Sequence, residues 1–168
     1  MRKSTVSILA IAVSIGMSTS VFADGSSVGG DLGIEVSAEN VISAAIGSDN
    51  SSSVLIGAIS NSDIGGDASL TVSAENVISA AIGSDNHSEV NMGAVVNSDV
   101  GGDVTIEVST DNVISAAIGS DNRSEVNIGA VIDSDVGGDV DISVSTANVI
   151  SAAIGTGNHS KVSIGTID

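Results

Sequence analysis

Asp31, Asp49, Asp67, Asp85, Asp103, Asp121 and Asp139 recur at every eighteenth position, each behind a Gly-Gly or Gly-Ser pair. If successive units stack in register, these carboxylates form a ladder with rungs about 4.8 Å apart. Neighbouring anions at that distance repel by about 1 kcal/mol even in water. A divalent cation would relieve the repulsion, and calcium suits it because it takes several carboxylate and carbonyl oxygens in loose geometry. The seven residues are therefore a candidate calcium ladder. The other reading is that each Asp hydrogen-bonds its own turn and stays solvated. Asp63, Asp99 and Asp135 add further charge.

Other reactive residue types give less. His87 and His159 share a column with Ser51 and Arg123, which marks a variable, exposed position. There is no Cys, and no His-carboxylate-Ser grouping distinct from the repeat. A catalytic centre needs singular residues in a singular geometry, so an enzyme is not expected, nor a resident cofactor other than calcium. Asn50, Asn86, Asn122 and Asn158 each open an Asn-x-Ser triplet. Such triplets are glycosylation acceptors in a eukaryotic secretory route, but the repeat itself explains their recurrence.

The elements that must carry these residues come from the repeat. The segment 38–50 returns unchanged at 74–86 and nearly unchanged from Thr110 and Thr146, a visible period of 36. Laid out at half that period, the chain shows more columns. Gly29 begins one that runs to Gly155, and Val41 one that runs to Ile167. A third is Val36, Val54, Val72, Val90, Val108, Val126, Val144 and Val162. A fourth runs Ile46, Ile64, Ile82, Val100, Ile118, Val136 and Ile154. The layout predicts eight 18-residue coils, the 36-residue period recording two alternating flavours of coil.

Gly-Gly-Asp and Gly-Ser-Asp read as turns that use positive φ. In Val104-Thr105-Ile106-Glu107-Val108 the apolar residues take every second place, as in a strand. Val113-Ile114-Ser115-Ala116-Ala117-Ile118 is too short before its Gly to be a stable helix. Two short strands per coil follow, with turns at the glycines and near Asn112. A unit of this size cannot bury its own apolar face, so coils must stack as an all-β solenoid. Eight coils would make a rod of roughly 38 Å. The Val36 column and Ile46, Ile82, Ile118 and Ile154 are its expected self-assembly core. A left-handed β-helix of hexapeptides, three to a turn, has a coil of the same length. Val36 and Ile42 meet its six-residue rule, while its third corner would fall on Gly30 or Ser48.

Residues 1–23 combine a basic start (Arg2, Lys3), an apolar run from Val6, and a small residue before Asp24, the pattern of a secretory signal peptide. The repeat domain is then 24–168, placed in the secreted, extracellular or bacterial cell-surface space. No stretch is apolar for the roughly 18 residues of a membrane span. Loss of Arg2 and Lys3 takes the formal charge from −17 to −19. Nucleic acid and anionic lipid are bound chiefly through Lys and Arg, so neither is an expected partner. With no Trp, Tyr, Pro or Cys, and its one Phe in the leader, the domain must build its core from Val, Ile, Leu and Ala. Such β-branched and small residues suit strands.

A stable monomeric solenoid carries atypical capping units, and the outermost repeats here read as uncapped. That predicts axial polymerisation with cross-β geometry. Ser88-Glu89-Val90-Asn91-Met92 and Ser124-Glu125-Val126-Asn127-Ile128 resemble the opening strand of curlin repeats, the subunits of bacterial curli amyloid. Asn112-Val113-Ile114-Ser115-Ala116-Ala117 echoes the second strand of those repeats. The chain departs from that family in having no Gln and a shorter unit. The resemblance implies a secreted fibre subunit of a biofilm matrix or adhesive surface, whose partner is a second copy of itself, assisted by a secretion or nucleator protein. The alternative is a monomeric solenoid adhesin or calcium-binding module. Ice binding would need an unbroken Thr column, which Thr105, Thr110 and Thr146 do not supply.

Overall fold

The computed structural model describes residues 4–9, 20–25, 27–48, 51–85, 87–121, 123–157 and 159–168, with side chains from Gly25 onward except at Ser48. Much of the expected signal peptide, Asp49 and the four glycosylation-type asparagines lie outside the described residues.

The chain is an all-β, parallel solenoid of about four coils. From Ser27 onward the strand residues stand beside their counterparts 36 positions away: Leu32 pairs with Ala68, Ala68 with Val104, and Val104 with Val140. The coil is therefore twice the expected length, and the eight coils read from the columns are corrected to about four. At the usual spacing four coils rise about 19 Å. The half-period columns are real but arise differently. They mark two halves of one turn that face a common core, so Val36 and Val54 sit in different sheets of the same coil.

Two short strands per coil is likewise corrected. Each coil has one long strand of 17 residues (Leu32–Ser48, Ala68–Ser84, Val104–Ser120, Val140–Thr156). A second strand follows, Ser51–Ser60 in the first coil and then His87–Met92, Arg123–Ile128 and His159–Ile164. Two-residue strands such as Val95–Val96 and Asp99–Val100 complete the turn.

The long strand is bent. Along its first limb Ile34, Val36 and Ala38 point inward; along its second Val41, Ser43 and Ala45 do. Glu39 and Asn40 both face out, so alternation slips by one residue at the corner and the inward set changes from even to odd numbers. Asn side chains stack at this corner. Asn76 Nδ2 donates to Asn40 Oδ1 at 3.0 Å, Asn112 to Asn76 at 2.9 Å and Asn148 to Asn112 at 3.0 Å.

The slip decides the fate of a predicted core column. Val36, Val54, Val72, Val90, Val108 and Val126 are buried in one cluster, Val144 packs half-buried against it, and Val162 is exposed on the outermost coil. Ile46, Ile82, Ile118 and Ile154 instead point outward, Ile46 with 73% of its surface exposed. That expectation is corrected: these four residues are not in the core. Their column mates Ile64 and Val100 are fully buried. The second limb carries two apolar sets, and the smaller one, Val-Ser-Ala, takes the inside. There the two sheets are close enough for serine hydroxyls to meet across the core. Ser52 Oγ donates to Ser43 Oγ at 2.6 Å, and an inward Ile pair would hold the sheets farther apart.

Ser4–Leu9 and Ser20–Asp24 pair in parallel with Leu32–Ser37 and with Leu55–Ser60, along the outer edge of the first coil. No helix among the described residues is long and apolar enough to cross a membrane.

Candidate functional site

The seven aspartates do not form one ladder. With each coil spanning a full double repeat, Asp31, Asp67, Asp103 and Asp139 fall in one file at the Gly-Gly-Asp corner, and Asp85 and Asp121 fall in another at the Gly-Ser-Asp corner. Among the described residues no group of three or more His, Asp or Glu side chains converges as ligands of a metal ion. A calcium ladder of all seven is therefore not what this geometry builds.

The first file is a structural joint. Asp31 Oδ1 accepts the backbone N–H of Asp67 at 3.2 Å, Asp67 that of Asp103 at 3.0 Å, and Asp103 that of Asp139 at 2.8 Å. Each carboxylate thus bonds the turn of the next coil rather than its own. Alongside, Leu32, Ala68 and Val104 donate to the carbonyls of Asp67, Asp103 and Asp139, each at 2.8 Å.

The second Gly of Gly-Gly-Asp makes this approach possible. A Cβ at Gly66, Gly102 or Gly138 would overlap the carboxylate oxygen and the backbone of the coil beneath. None of the three has a positive φ, so the expected use of left-handed backbone is corrected here: glycine supplies room. At Gly-Ser-Asp the expectation holds. Gly83 and Gly119 have φ of 135° and 138°, Asp85 and Asp121 φ of 59° and 55°, and Gly157 takes the equivalent place in the fourth coil with φ of 68°.

A hydroxyl chain runs up the interior. Ser43, Ser52, Ser79, Ser88, Ser115, Ser124, Ser151 and Ser160 follow one another with oxygen separations of 2.6–3.2 Å, alternating between the two sheets. The first six are buried. A buried hydroxyl without a partner costs on the order of 1–3 kcal/mol, so each serine is compatible with the core only because its neighbours are serines. The signal was present in the sequence as two serine columns offset by half of the half-period.

The outer side of the second sheet holds the described basic residues. Arg123 Nη2 lies 2.7 Å from Glu125 Oε2, Lys161 Nζ 3.7 Å from Glu125 Oε1, and His87 Nε2 3.4 Å from Glu89 Oε2. Burial alone would raise the Glu125 carboxyl. Hydrogen bonds from Arg123 and Asn127 and the charges of Arg123 and Lys161 outweigh it and hold the group below its ordinary value. Asn91 and Asn127 form a second amide ladder, Nδ2 to Oδ1 at 2.9 Å. On the third edge Asp63, Asp99 and Asp135 line a shallow open groove with Asn61, Asn97 and Asp133.

The Asp file, the two sets of Asn pairs and the serine row all join like to like across coil boundaries. No family model, curated protein or solved structure matches the chain.

Proposed function

We propose that the mature chain, 24–168, is a secreted structural subunit that stacks end to end into an extracellular amyloid-like fibre serving biofilm matrix or surface attachment. One observation carries this reading. Along the Asp file, the corner Asn ladder and the serine row, each coil offers the next the donors and acceptors that it received from the one before, so along these lines the outer edge of the fourth coil repeats the surface on which that coil rests, while the Asn91–Asn127 pair is flanked by Leu55 and Ser163. Asp139 stands on the fourth coil where Asp103, one coil below, accepts a backbone N–H, and Asn148 extends the corner ladder. Val162 and Ile164 are 43% and 40% exposed where their counterparts Val126 and Ile128 are buried. A head-to-tail interface with no rotation that closes a ring generates an open filament. In-register parallel strands perpendicular to its axis are cross-β geometry.

The stack has an electrostatic cost. The Asp file brings like charges into line, and salt relieves it by screening them. Added salt should therefore shorten the lag before fibres appear.

Gly30 provides the sharpest test. Nothing lies within 4 Å of a Cβ built there, whereas one at the equivalent Gly66 meets the Asp31 carboxylate and the backbone of Gly30. In a stack Gly30 of one copy would sit over Asp139 of another. Gly30→Ala should leave the melting temperature of the monomer within about 1 °C, a near-neutral surface change. It should also abolish thioflavin-positive fibres with a reflection at about 4.8 Å. Fibres of Gly30→Ala that grow at the wild-type rate, or a wild-type mature chain that stays monomeric in scattering at all pH and salt values, would refute axial stacking. The latter result would point to a monomeric adhesin.

A further inference from the structure

On the second limb of the long strand the outward residues are Ile, Ala and Ile in every coil, typified by Ile78, Ala80 and Ile82. Ile46 and Ile154 are 73% and 58% exposed, and Ile42 and Ile150 are also exposed. Because the coils are in register, these residues form two ridges of Ile along the rod with a furrow of Ala between them. Their side chains carry no donor, acceptor or charge. Outward acids stand beyond both ridges, Glu39, Glu75 and Asp111 at the corner before the first and Asp85 and Asp121 at the Gly-Ser-Asp corner after the second, so the apolar strip is bordered by charge on either side.

From this face we infer a lateral interface whose occupant is a second copy of the same rod, formed only once copies have stacked axially. The inference rests on the end-to-end stacking proposed above. Its shape is self-complementary: under a two-fold operation the Ile46–Ile82–Ile118 ridge of one rod fits the Ala furrow of the other, and the reverse, giving the dry interdigitated contact of a steric zipper. A partner rich in polar groups would leave them unpaired against Ile and Ala.

Area sets the order of events. The Ile-Ala-Ile limb across four coils spans about 16 by 19 Å, roughly 300 Å². A patch of that size is ordinary on a monomer. It is well short of the roughly 800 Å² per partner of a stable interface, so single subunits should not pair through it. Three stacked copies reach about 900 Å², and the contact then grows with every subunit added. Lateral pairing is thereby gated by rod length, and a short rod is prevented from sticking prematurely by having too little of a face that is otherwise adhesive.

Mass per unit length, measured on unstained fibres of the mature chain by scanning transmission electron microscopy, tests this independently of stacking. One coil for each strand spacing of about 4.8 Å gives about 7 kDa per nm for a single rod and about twice that for a pair. Wild-type fibres should give the paired value. Ala80→Glu with Ala116→Glu, which fills the furrow with charge, should halve the reading while the strand-spacing reflection persists. Should that pair prevent fibres altogether, Ile82→Thr with Ile118→Thr replaces it, with the same halving expected. Wild-type fibres with the mass of a single rod, or variant fibres with the mass of a pair, would overturn the lateral interface and leave axial stacking standing. Absence of any wild-type fibre would refute stacking and the paired rod together.

Discussion

At the scale of single residues, the Gly-Gly-Asp corner shows how a motif can be seen correctly and explained wrongly. Its recurrence is plain in the sequence, and glycine before Asp reads naturally as a turn needing positive φ. The backbone there is ordinary; what the second glycine lacks is a Cβ that would strike the Asp file of the coil beneath. Sequence spacing alone could not reveal this, because the atoms Gly102 would strike belong to Gly66 and Asp67, a whole coil earlier in the chain. Gly102→Ala should therefore cost about 1–3 kcal/mol through overpacking, read as a lowered midpoint in urea unfolding. A second prediction concerns Thr110. Its column holds Ala38 and Ala74 in the first two coils, and its hydroxyl is buried with no hydrogen-bond partner. Thr110→Val keeps the shape and removes the orphan group, so stability should rise by about 1 kcal/mol. An unchanged or lower unfolding midpoint would count against an orphaned hydroxyl.

At the scale of elements, strand alternation was legible but its phase was not. Val104 to Val108 alternates as read, and those apolar residues are inside. Across the corner at Asp111 and Asn112 the phase slips, and the residues after it offer either Val113-Ser115-Ala117 or Ile114-Ala116-Ile118 as an inner face. Hydropathy favours the second set; the serine pairing across a narrow core selects the first. The second sheet makes its own prediction. Glu125 is held below its ordinary carboxyl value when folded, so its stabilising effect is present above the ordinary value of 4.5 and is lost as the pH falls through the lowered one. Arg123→Ser, which places there the residue type found at Ser51 in the first coil, should lower stability at neutral pH and matter progressively less as the pH falls below the ordinary carboxyl value of 4.5. Parallel loss at both pH values in paired denaturant titrations would show that Arg123 acts by packing and not by its charge.

At the scale of the molecule, the solenoid class and the stacking of like on like could be read from the columns, whereas the coil length could not. Half-period columns arise whether the halves stack or lie opposite one another, and only the register, such as Val108 beside Val144, distinguishes the two. Residues 1–23 add a prediction at this scale. Ser4–Leu9 lies along the edge of Leu32–Ser37 where an incoming copy would pair. A chain that retains residues 1–23 should thus nucleate at least about tenfold more slowly than the chain beginning at Asp24, a barrier increase of about 1.4 kcal/mol, as measured by thioflavin lag times. Equal lag times would show that this strand does not block the edge. The interior serine row has one more consequence. A hydroxyl has a single proton to give, so when Ser52 points to Ser43 and Ser88 to Ser79, every link between them is satisfied only if all the protons lean the same way. A single Ser88→Ala would interrupt that row and take from Ser79 and Ser115 the hydroxyl each meets across the core.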